Sequence, residues 1–170
     1  MEQSKKAGDR KKTMYLMNYF LEQFRGTLFR QTMFAEFEKI THAMAEKGEP
    51  LTWEGMNKLY RELNLKYFGD AIVVDDEIDI EWARIPHFYN AFYVYQYATG
   101  FSSAVALAHG ILKEGAPAVE RYKKFLSGGC SASPVELLKI AGVNLETPKP
   151  IQEALDVFGE VLDEIEALLA

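Results

Sequence analysis

The sequence predicts an all-α protein, a single helical array of about six helices. Apolar residues recur every three or four positions over long stretches, which is the period of a helix with one buried face. Glycine and proline separate these stretches where helices are expected to end and begin. With 48% hydrophobic and 26% charged residues in a length of 170, the composition is that of one soluble globular domain. We expect residues 1–12 to form a polar N-terminal tail and residues 13–170 to form the helical domain.

The longest predicted helix covers about residues 9–46. Gly48 and Pro50 follow it, as expected at a helix C-terminus. Gly26 lies inside it, where glycine costs about 1 kcal/mol relative to alanine, so we expect a bend or a close helix contact there. The buried stripe of its second half is predicted to consist of Phe29, Met33, Phe37, Ile40 and Met44.

Two further helices are predicted in the middle of the chain. The first covers about residues 53–67, with Thr52 as its N-cap. The acidic segment 71–80 has no helical period and lacks the glycine-centred pattern of a calcium loop, so we expect an extended, solvated loop. Pro86 then marks the start of a helix over about residues 88–113, because proline suits the first turn of a helix and not its interior.

Three helices are predicted in the last third of the chain. One covers residues 117–126. The next opens with a capping box at Ser133 and Glu136, whose side chains each satisfy a backbone N–H that the helix leaves unpaired, and it ends at Gly142. The last covers about residues 150–169. Its buried face is predicted to consist of Ile151, Leu155, Phe158, Leu162, Ile165 and Leu169.

Charge and cysteine content exclude several classes of protein. A net charge of −6 and an isoelectric point near 5.2 argue against nucleic acid as a partner, because phosphate binding needs a concentrated basic surface. The single cysteine, Cys130, excludes an internal disulfide. No stretch approaches the roughly 18 uninterrupted apolar residues of a membrane span, and no apolar segment follows the basic N-terminus as in a signal peptide. We therefore expect a cytoplasmic protein without a membrane partner.

The chain carries no motif of its own for a metal or a phosphate. The zinc-protease motif needs two histidines one helical turn apart, whereas His42, His87 and His109 are isolated from each other. The pair Gly128 and Gly129 lacks the lysine and hydroxyl residue of a phosphate loop. We expect no metal to be bound by this chain alone.

Candidate chemistry concentrates in residues 84–101, which contain four tyrosines and His87. On the predicted helix, Tyr89, Tyr93 and Tyr97 lie four residues apart and share one face. His87 at the helix entrance and one or more of these phenols are suited to donate hydrogen bonds to a substrate carbonyl or to the oxyanion that develops from it. Plain aromatic packing is the alternative, and the residues by themselves leave both interpretations open.

Several segments of the chain resemble one family, the oligoendopeptidase F group of thimet-oligopeptidase-like zinc metallopeptidases. The similarity covers about residues 11–169. It is carried by residues 23–27 and 30–38, by residues 82–89 and 92–100 around His87, and by residues 127–143.

The resemblance implies the C-terminal part of a zinc-type catalytic domain that hydrolyses short peptides. In that family two histidines of an H-E-x-x-H helix and a later glutamate hold the zinc, and all of them are expected upstream of this chain. By similarity, His87 is the substrate-binding and catalytic histidine. Tyr95 is the first choice for the tyrosine that stabilises the transition state, followed by Tyr89 and Tyr93, and Tyr97 joins them in binding substrate.

The resemblance also sets the expected partners. Short peptides are the expected substrates, and a separate chain carrying the zinc motif is the expected protein partner. The chain is expected to carry an apolar face that packs against the zinc-binding part of the enzyme. When that part is missing, we expect the exposed face to cause self-association. The alternative function is a stand-alone helical module that binds peptides or another protein without catalysis.

Overall fold

The computed structural model describes residues 2–169, and the side chains of residues 3–169. Over that range the protein is 80% helical and has no β-strand, which confirms the predicted fold class. No helix in it is both long and apolar enough to cross a membrane. The helices are α1 (Glu2–Lys6), α2 (Arg10–Gln23), α3 (Arg30–Glu46), α4 (Trp53–Phe68), α5 (Tyr95–Glu114), α6 (Ala116–Ser127), α7 (Pro134–Ile140) and α8 (Lys149–Leu169).

A π-helical segment and several 3-10 helices complete the secondary structure. The long helix predicted over residues 9–46 is present, but a π-helical segment, Phe24–Phe29, separates α2 from α3. Gly26 lies in this segment, and apart from its own stretch of helix nothing lies within 4 Å of the place where its Cβ would be, so a close helix contact does not explain the glycine. The segment predicted as an extended loop is only partly extended, because Gly69–Ala71 and Asp76–Arg84 form 3-10 helices.

Contacts between residues group the chain into two compact units. The terminal unit consists of the chain up to Arg25 together with the chain from Thr99 onward, and the central unit is Gly26–Ala98.

In the terminal unit, α2 packs against α8. Phe24 is fully buried, and its ring lies 5.1, 4.9 and 5.3 Å from the rings of Phe20, Phe101 and Phe158. The segment predicted as a polar tail contains helix: residues 2–6 and 10–12 belong to α1 and α2. Ser4 is buried, and Lys5 forms an ion pair with Glu164 at 2.7 Å.

The buried face of α8 differs from the predicted one. Pro150, Ala154 and Val161 are the buried residues of this helix. Three residues of the predicted buried face are instead exposed: Ile151 and Leu162 at 37% each and Leu169 at 66%. The apolar stripe of α8 is wider than the surface that the terminal unit covers, so one edge of it faces outward.

The central unit holds an aromatic core between α3, α4 and the 3-10 helix Asp76–Arg84. Phe37 lies at its middle, with its ring 5.4 Å from the rings of both Tyr60 and Phe88. Met33 and Phe37 of the predicted α3 stripe are buried, and Phe34 is buried beside them. This core fixes the segment that carries His87.

The third predicted helix starts later than expected, at Tyr95 and not near residue 88. Pro86–Tyr89 form a separate 3-10 turn. Between the two, Phe92 adopts the left-handed backbone conformation with φ 58°, which an α-helix does not allow. Its N–H donates to the Glu38 carboxylate at 2.7 Å and not to a carbonyl of an earlier turn. A contact across the fold therefore overrides the local helical pattern.

Candidate functional site

His87 lies on the 3-10 turn that follows the buried residue Ile85. Proline at the first position of the turn restricts the backbone, and the Phe88 N–H donates to the Ile85 carbonyl at 3.3 Å. The turn closes when the Asn90 N–H donates to the His87 carbonyl at 3.0 Å. The His87 side chain is half-buried at this turn. Its ring is therefore held by a short, defined piece of backbone.

Two of the four tyrosines surround the His87 ring. The Tyr97 hydroxyl lies 3.1 Å from His87 Nε2 and 3.5 Å from the Tyr93 hydroxyl. The Tyr93 ring stacks on the imidazole at 5.6 Å with an interplanar angle of 14°, and the Tyr97 ring meets it edge-on at 5.6 Å and 86°. We call His87, Tyr93 and Tyr97 the donor cluster.

The donor cluster is a connected set of proton donors. A hydrogen bond with the Tyr93 hydroxyl, with a smaller effect from burial, raises the pKa of Tyr97. Tyr97 therefore keeps its proton to a higher pH than an ordinary tyrosine does. When Nε2 of His87 is protonated it donates to the Tyr97 oxygen, and the Tyr97 O–H donates to the Tyr93 hydroxyl, a long contact of 3.5 Å that another acceptor can replace. Chemically, the cluster can present O–H and N–H groups to a carbonyl oxygen.

The structure does not produce the predicted stripe of Tyr89, Tyr93 and Tyr97, because the first two precede α5. Tyr89 is 84% exposed and lies on the 3-10 turn. Tyr95 is 49% exposed and is the first residue of α5, two positions before Tyr97 and so on a different side of the helix. The transition-state role predicted for Tyr95 stays a prediction.

Sequence reasoning missed Glu38, which stabilises the backbone directly before Tyr93. Glu38 is only 3% exposed, and its carboxylate accepts the Phe92 N–H directly before Tyr93. The Phe92 ring lies 4.6 Å from the ring of His42. A signal was present, because Phe34, Glu38 and Thr41 are four and three residues apart and so place an acid on the buried face of α3.

A second missed group is the buried ionic cluster around Glu81. Its carboxylate accepts hydrogen bonds from Arg30 and Arg84, each at 2.5 Å, and from the Tyr60 hydroxyl at 2.6 Å. Burial by itself would raise the pKa of Glu81, but Tyr60 and the two guanidinium groups outweigh it and hold this pKa below its ordinary value. Burial, reinforced by Glu81, raises the pKa of Tyr60. The cluster ties α3 and α4 to the segment that leads into His87.

No metal site is formed by the part of the chain that the structure describes. Among residues 2–169, no group of three or more His, Cys, Asp or Glu side chains could hold a metal ion. The residues present therefore do not fit a zinc ion on their own, and the donor cluster contributes one histidine and two phenols.

Known proteins similar to this chain are peptidases. The model of the family described as "Peptidase family M3" matches residues 1–157. Oligopeptidase PepF from Bacillus subtilis is 57% identical over 161 residues, which is 95% of this chain and 24% of that protein. The chromosomal oligoendopeptidase F of Lactococcus lactis is 44% identical over 165 residues, or 97% of this chain and 27% of that protein.

A solved structure agrees with the sequence matches. The crystal structure of oligoendopeptidase-F from Enterococcus faecium superposes with a TM-score of 0.91 at 47% identity, covering 94% of this chain and 31% of that one. The chain thus spans about a quarter of the length of the curated relatives it matches. On the family match and these relatives, the chain belongs to peptidase family M3 and is a homologue of the oligoendopeptidases F.

Proposed function

We propose that this chain contributes the substrate-binding wall of a zinc-dependent oligoendopeptidase that hydrolyses short peptides in the cytoplasm. The observation that supports this most is the position of the Tyr97 hydroxyl, 3.1 Å from His87 Nε2 and 3.5 Å from the Tyr93 hydroxyl. Family membership supplies the reaction class, since the M3 peptidases are zinc metallopeptidases.

The proposed role of the donor cluster follows from where charge develops in peptide hydrolysis. Attack on the peptide carbonyl turns its oxygen into an oxyanion, and donors aimed at that oxygen stabilise the transition state more than the ground state. In this proposal Tyr97 donates to the oxyanion, and His87 holds the phenol in place through Nε2. Tyr93 covers the imidazole and keeps its ring oriented.

The zinc ligands are proposed to come from a polypeptide segment other than residues 2–169, because these residues form no group that fits the metal. Bound zinc supplies a Lewis acid to the reaction in this family. The residues of this chain bind the peptide, orient its carbonyl and donate hydrogen bonds to it. A separate chain that carries the H-E-x-x-H motif is the proposed partner.

A chimera tests this proposal directly. The matching segment of Bacillus subtilis Oligopeptidase PepF is replaced by this chain, and cleavage of a quenched fluorescent oligopeptide is measured. We expect chelator-sensitive cleavage by the chimera. Tyr97→Phe is expected to lower kcat/KM by about 10²- to 10³-fold, mostly through kcat, because one oxyanion donor is lost.

Tyr19→Phe is the matched control, since it removes the same hydroxyl from a residue that is 57% exposed on α2. It is expected to leave both constants unchanged. An active chimera in which Tyr97→Phe and His87→Ala both stay within about twofold of the parent would remove the donor cluster from the mechanism.

The isolated chain provides a second test. We expect it to retain no stoichiometric zinc after dialysis and to leave the oligopeptide intact, because it lacks a metal-binding group among its described residues. Metal analysis and the same fluorescence assay check both points. Chelator-sensitive turnover by the isolated chain would contradict the requirement for a second segment.

A further inference from the structure

The central unit contains a cavity of about 260 Å³ next to the His87 turn. Its walls are mainly apolar, and the rings of Phe37, Trp82, Phe88 and Tyr89 form part of them. Phe88 and Tyr89 directly follow His87 in the 3-10 turn, so the turn that positions the donor cluster also forms part of this cavity. Ligand pockets in proteins commonly combine apolar walls with a few polar groups that fix orientation.

One charged side chain among the described residues lines this cavity, the carboxylate of Glu38. Glu38 is 3% exposed, and among the described residues its side chain accepts one hydrogen bond, from the Phe92 N–H at 2.7 Å. No Lys or Arg in the described part of the chain forms an ion pair with it. A carboxylate offers about four acceptor sites, so most of its capacity is unused. A carboxylate without an ion-pair partner attracts a cation, which makes this site complementary to one.

His42 adds a second acceptor to the cavity wall. Its Nδ1 lies 2.8 Å from the Glu38 carbonyl, and because a carbonyl can only accept, Nδ1 carries the proton in the neutral ring. Nε2 is then an acceptor. Glu38 and His42 are four residues apart on α3 and therefore on one side of the helix.

We propose that this cavity binds the ammonium group of a lysine side chain in a peptide. The alkyl chain of lysine contacts the apolar walls, the aromatic rings face the cation, and the ammonium donates to Glu38 and to His42 Nε2. Lysine is favoured over arginine because an ammonium needs only the one carboxylate oxygen that does not accept the Phe92 N–H, whereas a guanidinium prefers a two-pronged contact with both oxygens. As a substrate pocket, the cavity deepens the function proposed above and rests on it.

Binding is measured on the isolated chain with small probes, so that neither zinc nor turnover is required. The probes are Nα-acetyl-lysine N-methylamide and its norleucine counterpart, which has the same alkyl length without the ammonium. The indole N–H of Trp82, which donates to Asn57 at 2.8 Å, reports binding as an NMR cross-peak. Trp53, 62% exposed and outside the cavity lining, is the internal control.

We expect the lysine probe to shift the Trp82 signal saturably and to bind with at least about tenfold higher affinity than the norleucine probe. Nε-acetylation of the lysine probe is expected to abolish that preference without any change to the protein. Glu38→Gln is expected to abolish it as well, because glutamine can still accept the Phe92 N–H but carries no charge. Glu46→Gln, the same change on the same helix outside the cavity, is expected to preserve it.

Equal affinity for the two probes, no movement of the Trp82 signal, or selectivity that survives in Glu38→Gln would each overturn the lysine site. These outcomes are distinct from failure of the proposed function. If the chimera is inactive but the isolated chain binds the lysine probe selectively, the peptidase role is contradicted and the lysine site stands. If the chimera is active but the isolated chain shows no selective binding, the lysine site is contradicted and the peptidase role stands.

Discussion

At the scale of single residues, Glu81 makes several side-chain interactions that were not predicted from the sequence. Its contacts with Arg30, Tyr60 and Arg84 lie in the central unit, and the Arg30 side chain is 27% exposed whereas that of Arg84 is 73% exposed. We expect Glu81→Gln to reduce the free energy of unfolding by about 2 kcal/mol at neutral pH, less than for a fully buried pair because both arginines reach water. Urea unfolding measures the change.

The effect of Glu81→Gln should depend on pH in one direction. The pKa of Glu81 is lower in the folded protein than its ordinary value of 4.5. Its contribution is therefore complete above about pH 4.5 and is lost as the pH falls through the folded-state pKa. We expect the difference between the two proteins to shrink as the pH falls below about 4.5. Glu62→Gln, an exposed glutamate on α4, is the control, and a difference that grows on acidification would contradict this account.

Glu38 has a predicted structural role that is separate from any ligand. Alanine in its place leaves the Phe92 N–H without its acceptor and the left-handed backbone at φ 58° without its support. We expect Glu38→Ala to cost about 2 to 3 kcal/mol and to displace Tyr93, which follows Phe92 and stacks on His87. The ring-current shift of the His87 protons in NMR spectra reports that displacement.

A second substitution separates backbone strain from loss of the aromatic ring. Glycine adopts positive φ without cost, so Glu38→Ala with Phe92→Gly should recover the His87 ring-current shift. Glu38→Ala with Phe92→Ala loses the same ring, which packs on His42, and should not recover it. Equal recovery by both double variants would show that the left-handed backbone is not what Glu38 supports.

The sequence located the donor cluster but could not predict its arrangement. The run of tyrosines near His87 pointed to the segment in which His87, Tyr93 and Tyr97 lie together, since tyrosine and histidine were recognisable as donors without a structure. Glu38 and Phe92 are 54 residues apart, and Arg30 and Glu81 are 51 apart. Periodicity over a window of a dozen residues can place Glu38 on the buried face of α3, but it carries no information about such distant partners, so the start of α5 and the contacts of both buried acids were missed.

At the scale of secondary-structure elements, the two glycines at helix irregularities should respond oppositely to alanine. Gly26 has an ordinary backbone conformation and open space around its Cβ position. We expect Gly26→Ala to raise the free energy of unfolding by about 0.5 to 1 kcal/mol, because alanine loses less backbone entropy. The midpoint of urea unfolding measures this gain.

Gly128 provides the contrast at the end of α6. A Cβ there would lie 2.7 Å from Leu137 Cδ2 and 3.1 Å from the Phe125 carbonyl oxygen. We expect Gly128→Ala to cost about 1 to 3 kcal/mol through overpacking.

Destabilisation by Gly26→Ala would mean that the π-helical segment needs glycine for a reason other than space or backbone conformation.

Elements with local signals were predicted well. The capping box of α7 is present, with the Ser133 hydroxyl accepting the Glu136 N–H at 3.3 Å and the Glu136 carboxylate accepting the Ser133 N–H at 3.2 Å. Thr52 caps α4 as predicted. These signals involve residues three positions apart, so the sequence contains them completely. The π-helical segment has no such signature, and only Gly26 hinted at an irregularity.

At the scale of the whole molecule, the exposed edge of α8 predicts association of the isolated chain. Ile151, Leu162 and Leu169 form part of an apolar stripe that the terminal unit leaves exposed. Exposed apolar patches drive contacts between proteins. We expect the mass of the chain to rise with concentration in analytical ultracentrifugation, and we expect Leu162→Ser with Leu169→Ser to reduce that rise.

Substitution of exposed charged residues on the same helix is the appropriate control for this prediction. Asp163→Ser with Glu166→Ser alters the exposed polar surface of α8 and should leave apolar association in place or strengthen it. A chain that remains monomeric at every concentration would contradict the prediction. The extent of the exposed stripe was not predictable from the sequence, because the hydrophobic period of a helix does not state how much of its face is covered.

The lone thiol at Cys130 affects how such experiments are done. It is exposed, in the turn after α6, and it is the single cysteine of the chain. A maleimide dye or spin label would therefore attach at one known position without any engineered residue. The same thiol permits oxidative cross-linking of two copies, so association measured without a reductant would include a covalent dimer unrelated to the apolar edge of α8.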